Sequence, residues 1–267
     1  MSRLPRRIVC LSTETVEVLY ALGEQDRIVG ISGYAVIPPQ ARKEKPKVFA
    51  FSTGDLDRIL AVQPDLVLCF CDLQADIARD LVKAGVAVHV FNQRSVEDIL
   101  AMIETVGRLV GAEARANALV GELEGVIEST RAAAARLPRR PRVYFEEWDE
   151  PPISGIRWVS ELIGIAGGDD VFAEFAHRTA ARDRILADPL EAARRDPDII
   201  IGSWCGKRFR PEKVAARAGW DDVPAVRNAQ IHEIKSAIIL SPGPVAIREG
   251  LPALAKLMAD WADGVAG

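Results

Sequence analysis

The chain has 267 residues, of which 49% are hydrophobic and 27% charged, and its formal net charge is −4 at neutral pH. This length suits one large α/β domain or two lobes of ordinary size. A protein that binds nucleic acid normally carries a basic face, so the acidic balance argues against a nucleic-acid partner.

The apolar segments are too short for a membrane span, which needs about 20 consecutive apolar residues. The start, MSRLPRRIVCLS, is basic, but its apolar run falls short of the about 7–15 residues of a signal-peptide core. We therefore expect no membrane span. The chain as written would be cytoplasmic, and it would be periplasmic or extracellular if a leader has been removed.

The cysteines are Cys10, Cys69, Cys71 and Cys205. Most of them lie in or beside aliphatic runs, where a free cysteine behaves as a small hydrophobic residue. A metal site would need further ligands close by, and the histidines are distant in sequence. We predict buried thiols and no metal site.

Two segments of the chain repeat one pattern. They read ILAVQPDLVLCFC at residues 59–71 and AARRDPDIIIGSWC at residues 192–205. Each has a helical lead-in, Pro-Asp, an aliphatic run, and then an aromatic residue and a cysteine. An aliphatic run of this length is typical of a strand buried on both faces of a parallel sheet. The repeat indicates that the two halves share an organisation.

In the first half, short aliphatic strands alternate with helices, and Gly23 and Gly85 end two of the helices. The predicted strands are residues 6–12, 27–32, 48–52, 65–70 and 86–91. The predicted helices are residues 13–23, 56–63 (capped by Asp55) and 75–85. Residues 33–46 contain Pro38-Pro39 and are predicted to be a loop.

The middle of the chain has no strand signal from Ser95 to Leu137. A helix begins at Ser95, which forms a capping-box-like pair with Asp98, and Gly107 weakens its interior. Residues 112–137 are rich in Ala, Glu and Leu and predict one helix of roughly 35–40 Å. This helix either packs on a single large sheet or bridges two lobes.

The alternation resumes after residue 142. The predicted strands are residues 143–148, 198–204 and 230–235. The predicted helices are residues 158–168, 190–196, 211–219 and 245–263, and residues 236–244 are predicted to be a loop. Because the halves match, we expect an N-terminal α/β lobe at residues 1–111, a bridging helix at 112–137 and a C-terminal α/β lobe at 138–267.

Several segments taken together resemble the substrate-binding proteins of cobalamin and ferric-siderophore ABC importers. In the first half they are RIVCLSTETVEVLYALG, RIVGISGYAVIPPQARK and GDLDRILAVQPDLVLCF. In the second half they are FEEWDEPPISGIRWVSELIGIAGGDDVF, RRDPDIIIGSWCG, GWDDVPAVRNAQIHEI and SPGPVAIREGLPALA. The resemblance implies two Rossmann-like lobes with parallel sheets joined by a single long bridging α-helix, a class III periplasmic-binding-protein-like fold.

The resemblance also implies a function. PPQARK after a tyrosine, and W-x-x-PP-x-x-G, favour the cobalamin branch. We expect a monomer that binds a corrinoid in a cleft between its lobes without catalysis, as the substrate-binding component of an ABC importer, and that has no cofactor besides this ligand. The alternatives are a ferric-siderophore or haem binder, for which Arg178, Arg182 and Arg208 could meet an anionic ligand, and a cytoplasmic corrinoid carrier or sensor without a permease.

The site residues follow from where such a ligand would lie. Ligands of open α/β sheets bind on the loops after the carboxyl ends of the strands. A corrin is a broad apolar plate fringed with amides, so aromatic faces and a few polar groups suit it. The predicted ligand-binding residues are Thr13, Glu14, Tyr34, Phe51, Phe70, Trp148, Trp158, Trp204, Phe209, Ser241 and Arg248. Trp220 and Trp261 are assigned to packing.

Docking to a permease would use one acidic residue on each lobe, as the resemblance implies. On the second lobe Glu212 occupies the corresponding stretch. On the first lobe, Asp72 and Asp76 are the nearest acids after the 65–70 strand, and we select Asp76.

Glu146, Glu147, Asp149 and Glu150 raise the possibility of a carboxylate-based hydrolase. The sequence has no nucleophile elbow, Gly-rich phosphate loop or second carboxylate cluster to complete such a site. We therefore expect that the protein is not an enzyme.

Overall fold

A computed structural model of the chain describes residues 3–50 and 56–265. The described residues form two compact units. Unit 1 takes in the described residues up to Gln93 together with Glu97–Glu122, and unit 2 takes in Arg94–Val96 and the described residues from Leu123 onward. Within these ranges, every helix is too short or too polar to cross a lipid bilayer.

Unit 1 is built on a parallel sheet. Its strands are β1 (Ile8–Cys10), β2 (Ile28–Ser32), β3 (Lys47–Phe49), β4 (Leu66–Phe70) and β5 (Val88–Phe91). Their order across the sheet is β3-β2-β1-β4-β5, so the chain winds outward in both directions from β1. The predicted strands of this half are confirmed, apart from Phe51 and Ser52, which lie outside the described residues.

Both faces of this sheet are covered. Val9 and Val67 pack on one face in a core cluster with Ile59 and Leu81 from neighbouring helices. Side chains alternate along a strand, so Ile8 points to the other face, where it is also fully buried. Cys10, Cys69 and Cys71 are buried, which confirms the prediction for these thiols, and burial raises the pKa of Cys10 and Cys69 to about 12. The prediction is wrong for Cys205, which is exposed.

The helices of unit 1 surround this sheet. They are α1 (Thr13–Ala21), α2 (Ala41–Glu44), α3 (Leu56–Ala61), α4 (Ala75–Lys83) and α5 (Val96–Val110), whose first residue belongs to unit 2. Gly23 and Gly85 have positive φ after α1 and α4, as predicted. The expectation of an unbroken loop at residues 33–46 is wrong, because the short helix α2 starts there once the chain has passed Pro39, with the Ala41 amide donating to the Pro38 carbonyl at 3.0 Å. The cap predicted at Asp55 lies outside the described residues.

The long helix α6 (Glu113–Ala134) follows α5, and the division between the units falls within it, between Glu122 and Leu123. At the α5–α6 corner, a Cβ placed on Gly107 would lie 2.3 Å from the Cβ of Ala116. Gly107 therefore permits a close approach of the two helices, which corrects the expectation that it merely weakens α5.

Unit 2 contains the second sheet. Its strands are β6 (Arg142–Asp149), β7 (Pro152–Ser154), β8 (Asp169–Asp170), β9 (Ile199–Gly202) and β10 (Ile231–Glu233). The order is β10-β9-β6-β7, and β8 pairs with the start of β6. The β9, β10 and β8 pairings are parallel, whereas β7 folds back antiparallel on β6. The sequence did not predict β7 or β8.

The helices of unit 2 are mostly short. They are α7 (Arg157–Ile165), α8 (Leu190–Arg194), α9 (Pro211–Ala215), α10 (Pro224–Arg227), α11 (Ser236–Ile239) and α12 (Leu251–Val265). The expectation of a loop at residues 236–244 is wrong in its first part, which is α11. A π-helical turn, Ala246–Gly250, leads into α12. Pro252 cannot donate a backbone hydrogen bond to the preceding turn, which accounts for irregular winding at this point.

The core of unit 2 encloses a charged group, the carboxylate of Glu146 on β6, which is 0% exposed. Arg217 donates to both of its oxygens, at 2.7 and 2.9 Å. The Tyr144 hydroxyl and the Trp204 indole N–H donate to it at 2.8 and 2.9 Å. A buried carboxylate is tolerated when it is paired and hydrogen-bonded in this way.

The titration behaviour of this cluster agrees with its geometry. Burial, reinforced by the charge and hydrogen bond of Glu146, raises the pKa of Tyr144 well above its ordinary value, so its hydroxyl remains a donor. Burial alone would lower the pKa of Arg217, but the hydrogen bond and charge of Glu146 outweigh it and the pKa is raised. Glu146 and Arg217 therefore form a stable ion pair.

Gly107→Ala should lower the free energy of unfolding by about 1–3 kcal/mol, because the added methyl group overpacks the α5–α6 contact. Gly121 is the matched control, since it lies in α6 with open space around its Cβ position. Gly121→Ala should instead stabilise the protein by roughly 0.5–1 kcal/mol. Urea denaturation measures both. A Gly107→Ala protein as stable as the unaltered one would show that the helix spacing is not limiting.

Arg217→Met should destabilise the protein by about 3–5 kcal/mol, because it leaves the Glu146 carboxylate buried without a cation. The control is Arg108→Met, which removes the exposed pair between Arg108 and Glu104 and should change stability by less than about 0.5 kcal/mol. The double variant Glu146→Met with Arg217→Met should recover part of the loss. Equal stability of the Arg217→Met and Arg108→Met proteins would contradict this account.

Candidate functional site

In unit 1, the loops after β1 and β2 bring two of the predicted ligand contacts together. Thr13 begins α1 directly after β1, and its hydroxyl donates to the backbone carbonyl of Tyr34 at 3.3 Å. Tyr34 follows β2 and is 61% exposed. The carboxyl end of this sheet therefore presents an accessible aromatic side chain.

Glu14, beside Thr13, is placed differently. It lies in the first turn of α1 and is buried, and within the described residues its Oε2 has no hydrogen-bond partner. Burial raises the pKa of Glu14, and hydrogen bonds from its own backbone amide and from Ser12 only partly oppose this. Its predicted contact with a ligand stays a prediction.

Phe70 is at the carboxyl end of β4 and is buried. Its backbone amide donates to the side-chain oxygen of Gln74 at 2.9 Å, while the Gln74 amide nitrogen donates to the Leu11 carbonyl at 3.0 Å. Gln74 thus ties the ends of β1 and β4 to each other, a role that no sequence signal indicated. Phe51 lies outside the described residues.

In unit 2, the predicted contact Trp148 lies near the end of β6 and is half-buried. Its indole N–H donates to the Glu150 carbonyl at 2.9 Å, which fixes the orientation of the ring. The ammonium of Lys207 lies 4.1 Å from the centroid of this ring and 5.1 Å from that of Trp204. At such distances a cation is attracted to the face of an indole.

Lys207 also pairs with the buried carboxylate of Asp149. Burial alone would raise the pKa of Asp149, but the hydrogen bond and charge of Lys207, with help from the backbone and Lys213, hold it below its ordinary value. Asp149 is therefore an ionised anchor for Lys207. Lys207 was not predicted from the sequence, where its one signal is a basic residue in the loop after β9, close to Trp204.

The structure brings Trp204 and Phe209 into this neighbourhood, but both are buried. Their rings meet edge to face with centroids 4.9 Å apart. Gly202 makes room for them, since a Cβ there would lie 1.8 Å from the Phe209 ring. Both rings belong to the core of unit 2, and their contact with a ligand stays a prediction.

The remaining predicted contacts lie on other segments of unit 2. Trp158 on α7 is buried and donates its indole N–H to the Ile239 carbonyl at 2.9 Å. Ser241 is half-buried, and Arg248 is exposed on the π-helical turn. Trp220 and Trp261 are buried, as predicted from their packing roles.

The arginines proposed for an anionic ligand differ in their surroundings. Arg178 donates to the Asp183 carbonyl at 2.7 Å and stacks on Phe175. Arg182 and Arg208 are exposed. Arg184, which the sequence did not single out, is buried.

Arg184 accounts for one of the acids that suggested a hydrolase. It pairs with Glu147 at 2.6 Å and donates to the Ser154 carbonyl. Glu146 is paired with Arg217, and Asp149 with Lys207. Each of these carboxylates is thus engaged by a cation that holds a loop, which is an arrangement typical of structural ion pairs.

The predicted docking acids are both exposed. Asp76 lies in the first turn of α4, where its side chain is 88% exposed and pairs with Arg79 at 2.8 Å. Glu212 lies in the first turn of α9.

Comparison with known proteins finds relatives that are named as binding proteins. YvrC from Bacillus subtilis, an uncharacterized ABC transporter substrate-binding lipoprotein, is 24% identical over 265 residues, 94% of this chain and 79% of the lipoprotein. A vitamin B12-binding protein from Vibrio parahaemolyticus is 27% identical over 244 residues, 89% of this chain and 84% of that protein.

Among solved structures, the periplasmic heme-binding protein RhuT from Roseiflexus, in apo form, matches with a TM-score of 0.84 at 23% identity. The match covers 96% of this chain and 99% of RhuT. It confirms the predicted fold class of two α/β lobes with parallel sheets and a long connecting helix.

The sequence profile described as periplasmic binding protein matches residues 8–238. This match spans most of the chain and includes strands of both units. The chain therefore belongs to the periplasmic binding protein family.

Proposed function

We propose that this protein binds a corrinoid of the cobalamin type and returns it unchanged, as the substrate-binding component of an ABC importer. The observation that carries the proposal is Trp148, a half-buried indole whose orientation is fixed at the carboxyl end of the unit 2 sheet. The vitamin B12-binding relative, aligned over most of the chain, supports the choice of ligand. The proposal places the working protein outside the cytoplasm.

The chemistry of a corrin suits the side chains available. A corrin offers a broad apolar plate, and aromatic faces bury much area against such a plate at a low cost in side-chain entropy. Each unit supplies an aromatic residue that is not fully buried, Tyr34 in unit 1 and Trp148 in unit 2. The ion pairs of Glu146, Glu147 and Asp149 leave these acids poorly suited to acid–base catalysis, in keeping with a family of binding proteins.

Haem is the second candidate ligand. It is also a flat plate, but it carries carboxylates, to which the ammonium of Lys207 beside Trp148 could donate. A ferric siderophore is the third candidate, for which Arg182 and Arg208 are exposed, whereas Arg178 already donates to the Asp183 carbonyl.

Titration with cyanocobalamin should quench tryptophan fluorescence saturably, because corrin absorption overlaps indole emission. Trp148→Ala should weaken binding about tenfold or more, since both the aromatic contact and its buried area are lost. It should leave the circular dichroism spectrum intact. Tyr20→Phe is the control: it removes the hydrogen bond from Tyr20 to Glu44, away from the proposed contacts, and should bind normally. Saturable quenching by haem but none by cyanocobalamin would contradict the corrinoid assignment.

Permease docking can be tested separately from ligand binding. Asp76→Lys combined with Glu212→Lys should abolish cobalamin uptake in cells deleted for the native gene, while the Kd for cyanocobalamin stays within about twofold of its original value. The matched control is Glu128→Lys, because Glu128 is likewise an exposed acid paired with an arginine three residues on, Arg131. Full uptake by the double variant would show that these acids are not the docking contacts, whereas failure of the unaltered protein to restore uptake would support a carrier that works without a permease.

A further inference from the structure

We propose that Lys207 determines ligand specificity by receiving an anionic group, a phosphodiester or a carboxylate, from a flat ligand that contacts Trp148. The inference rests on the proposed function for the place of the ligand and goes beyond it in the chemical group that is recognised. It arises from the contacts of a side chain that the sequence pattern did not single out.

Lys207 is held in place by contacts that leave part of its donor capacity available. An ammonium group carries three N–H donors. The indole faces of Trp148 and Trp204 attract it without accepting a conventional hydrogen bond, and Asp149 accepts from one side. The Lys207 side chain is 35% exposed. The ammonium is therefore fixed beside the indole while it can still donate to a ligand.

The loop that carries Lys207 is itself anchored to β6. The Ser203 amide donates to the Glu146 carbonyl at 2.9 Å, and the Cys205 amide donates to the Glu147 carbonyl at 3.4 Å. The loop of Lys207 is hydrogen-bonded to β6, and β6 also carries Trp148. The ammonium and the Trp148 ring therefore keep their relative position. A ligand would meet a prearranged pair of groups, which lowers the ordering cost of binding.

Asp149 can share Lys207 with a ligand because a second cation is close by. The Lys213 ammonium lies 3.5 Å from Asp149 and 3.3 Å from Glu150. If Lys207 turned partly toward a ligand anion, the buried Asp149 carboxylate would keep a cationic partner. A buried carboxylate without any partner would be strongly destabilising. The arrangement therefore favours a ligand that brings its own negative charge.

Two pairs of compounds separate the contribution of the flat ring system to affinity from that of the anionic group. Cyanocobalamin carries a phosphodiester that dicyanocobinamide lacks, and haem carries carboxylates that are neutral in its dimethyl ester. A hydrogen bond to a charged group corresponds to roughly ten- to hundredfold in affinity. Only the anionic member of each pair should depend on Lys207.

The experiment measures Kd by fluorescence quenching for these four probes with the unaltered protein and with Lys207→Met. The variant should weaken cyanocobalamin binding at least tenfold and change dicyanocobinamide binding by less than about threefold, which also shows that the fold is intact. Lys207→Arg should retain most of the affinity for cyanocobalamin. Lys256→Met, which removes an exposed lysine paired with Asp260, is the control and should bind every probe normally.

Each outcome decides between the two claims. If both corrinoids bind but Lys207→Met affects them equally or not at all, the inference is overturned and the proposed function stands. If neither corrinoid binds and Lys207→Met weakens haem but not its ester, the proposed function fails and the inference stands. If haem is the only probe type that binds and Lys207→Met affects haem and its ester equally, or if no probe binds, the proposed function and the inference are both overturned.

Discussion

The buried carboxylate of Glu146 is the constraint on which the arrangement of unit 2 depends. It sits on β6, between β9 and β7, and takes its hydrogen bonds from Tyr144 on the same strand, from Trp204 after β9 and from Arg217 after α9. A buried charge that loses these donors is costly, so the segments that supply them must stay in place. One of these segments continues directly into Lys207. The position of that ammonium over Trp148 is thus a consequence of how the core satisfies Glu146.

The other acids of β6 extend the same principle along the strand. Glu146 and Glu147 are neighbours on β6, at a point where its pairing with β7 is irregular. Arg217 meets the first and Arg184 the second. The acidic residues that suggested a hydrolase in the sequence therefore hold two distant segments of the chain against β6. Asp149, farther along β6, pairs with Lys207. The ion pairs of this strand therefore extend to Lys207, one of the residues proposed to contact the ligand.

Much of the fold could be predicted, because it is encoded by local patterns. The aliphatic runs after Pro64-Asp65 and Pro197-Asp198 are buried strands, and positive φ at Gly23 and Gly85 follows from their places at helix ends. The site was less predictable, because burial and ion pairing join distant residues. Trp148 and Trp204 both lie at strand ends, yet the first is half-buried and the second belongs to the core. The partner of Glu147 is 37 residues away, and no spacing rule points to it.

The aromatic residues proposed for ligand contact have different surroundings in unit 1 and in unit 2. In unit 2, the Trp148 ring is fixed by its hydrogen bond to the Glu150 carbonyl, and the ammonium of Lys207 lies beside it. This ring therefore has a fixed orientation and a positive charge next to it. In unit 1, Tyr34 offers a more exposed ring on a loop that Thr13 holds through the backbone. Rigid, charged groups distinguish ligands because a mismatch leaves a polar group unsatisfied, whereas exposed aromatic surface tolerates many flat partners. Under the proposed function, selectivity for the ligand should therefore depend mainly on Trp148 and Lys207, whereas Tyr34 should favour planar molecules in general.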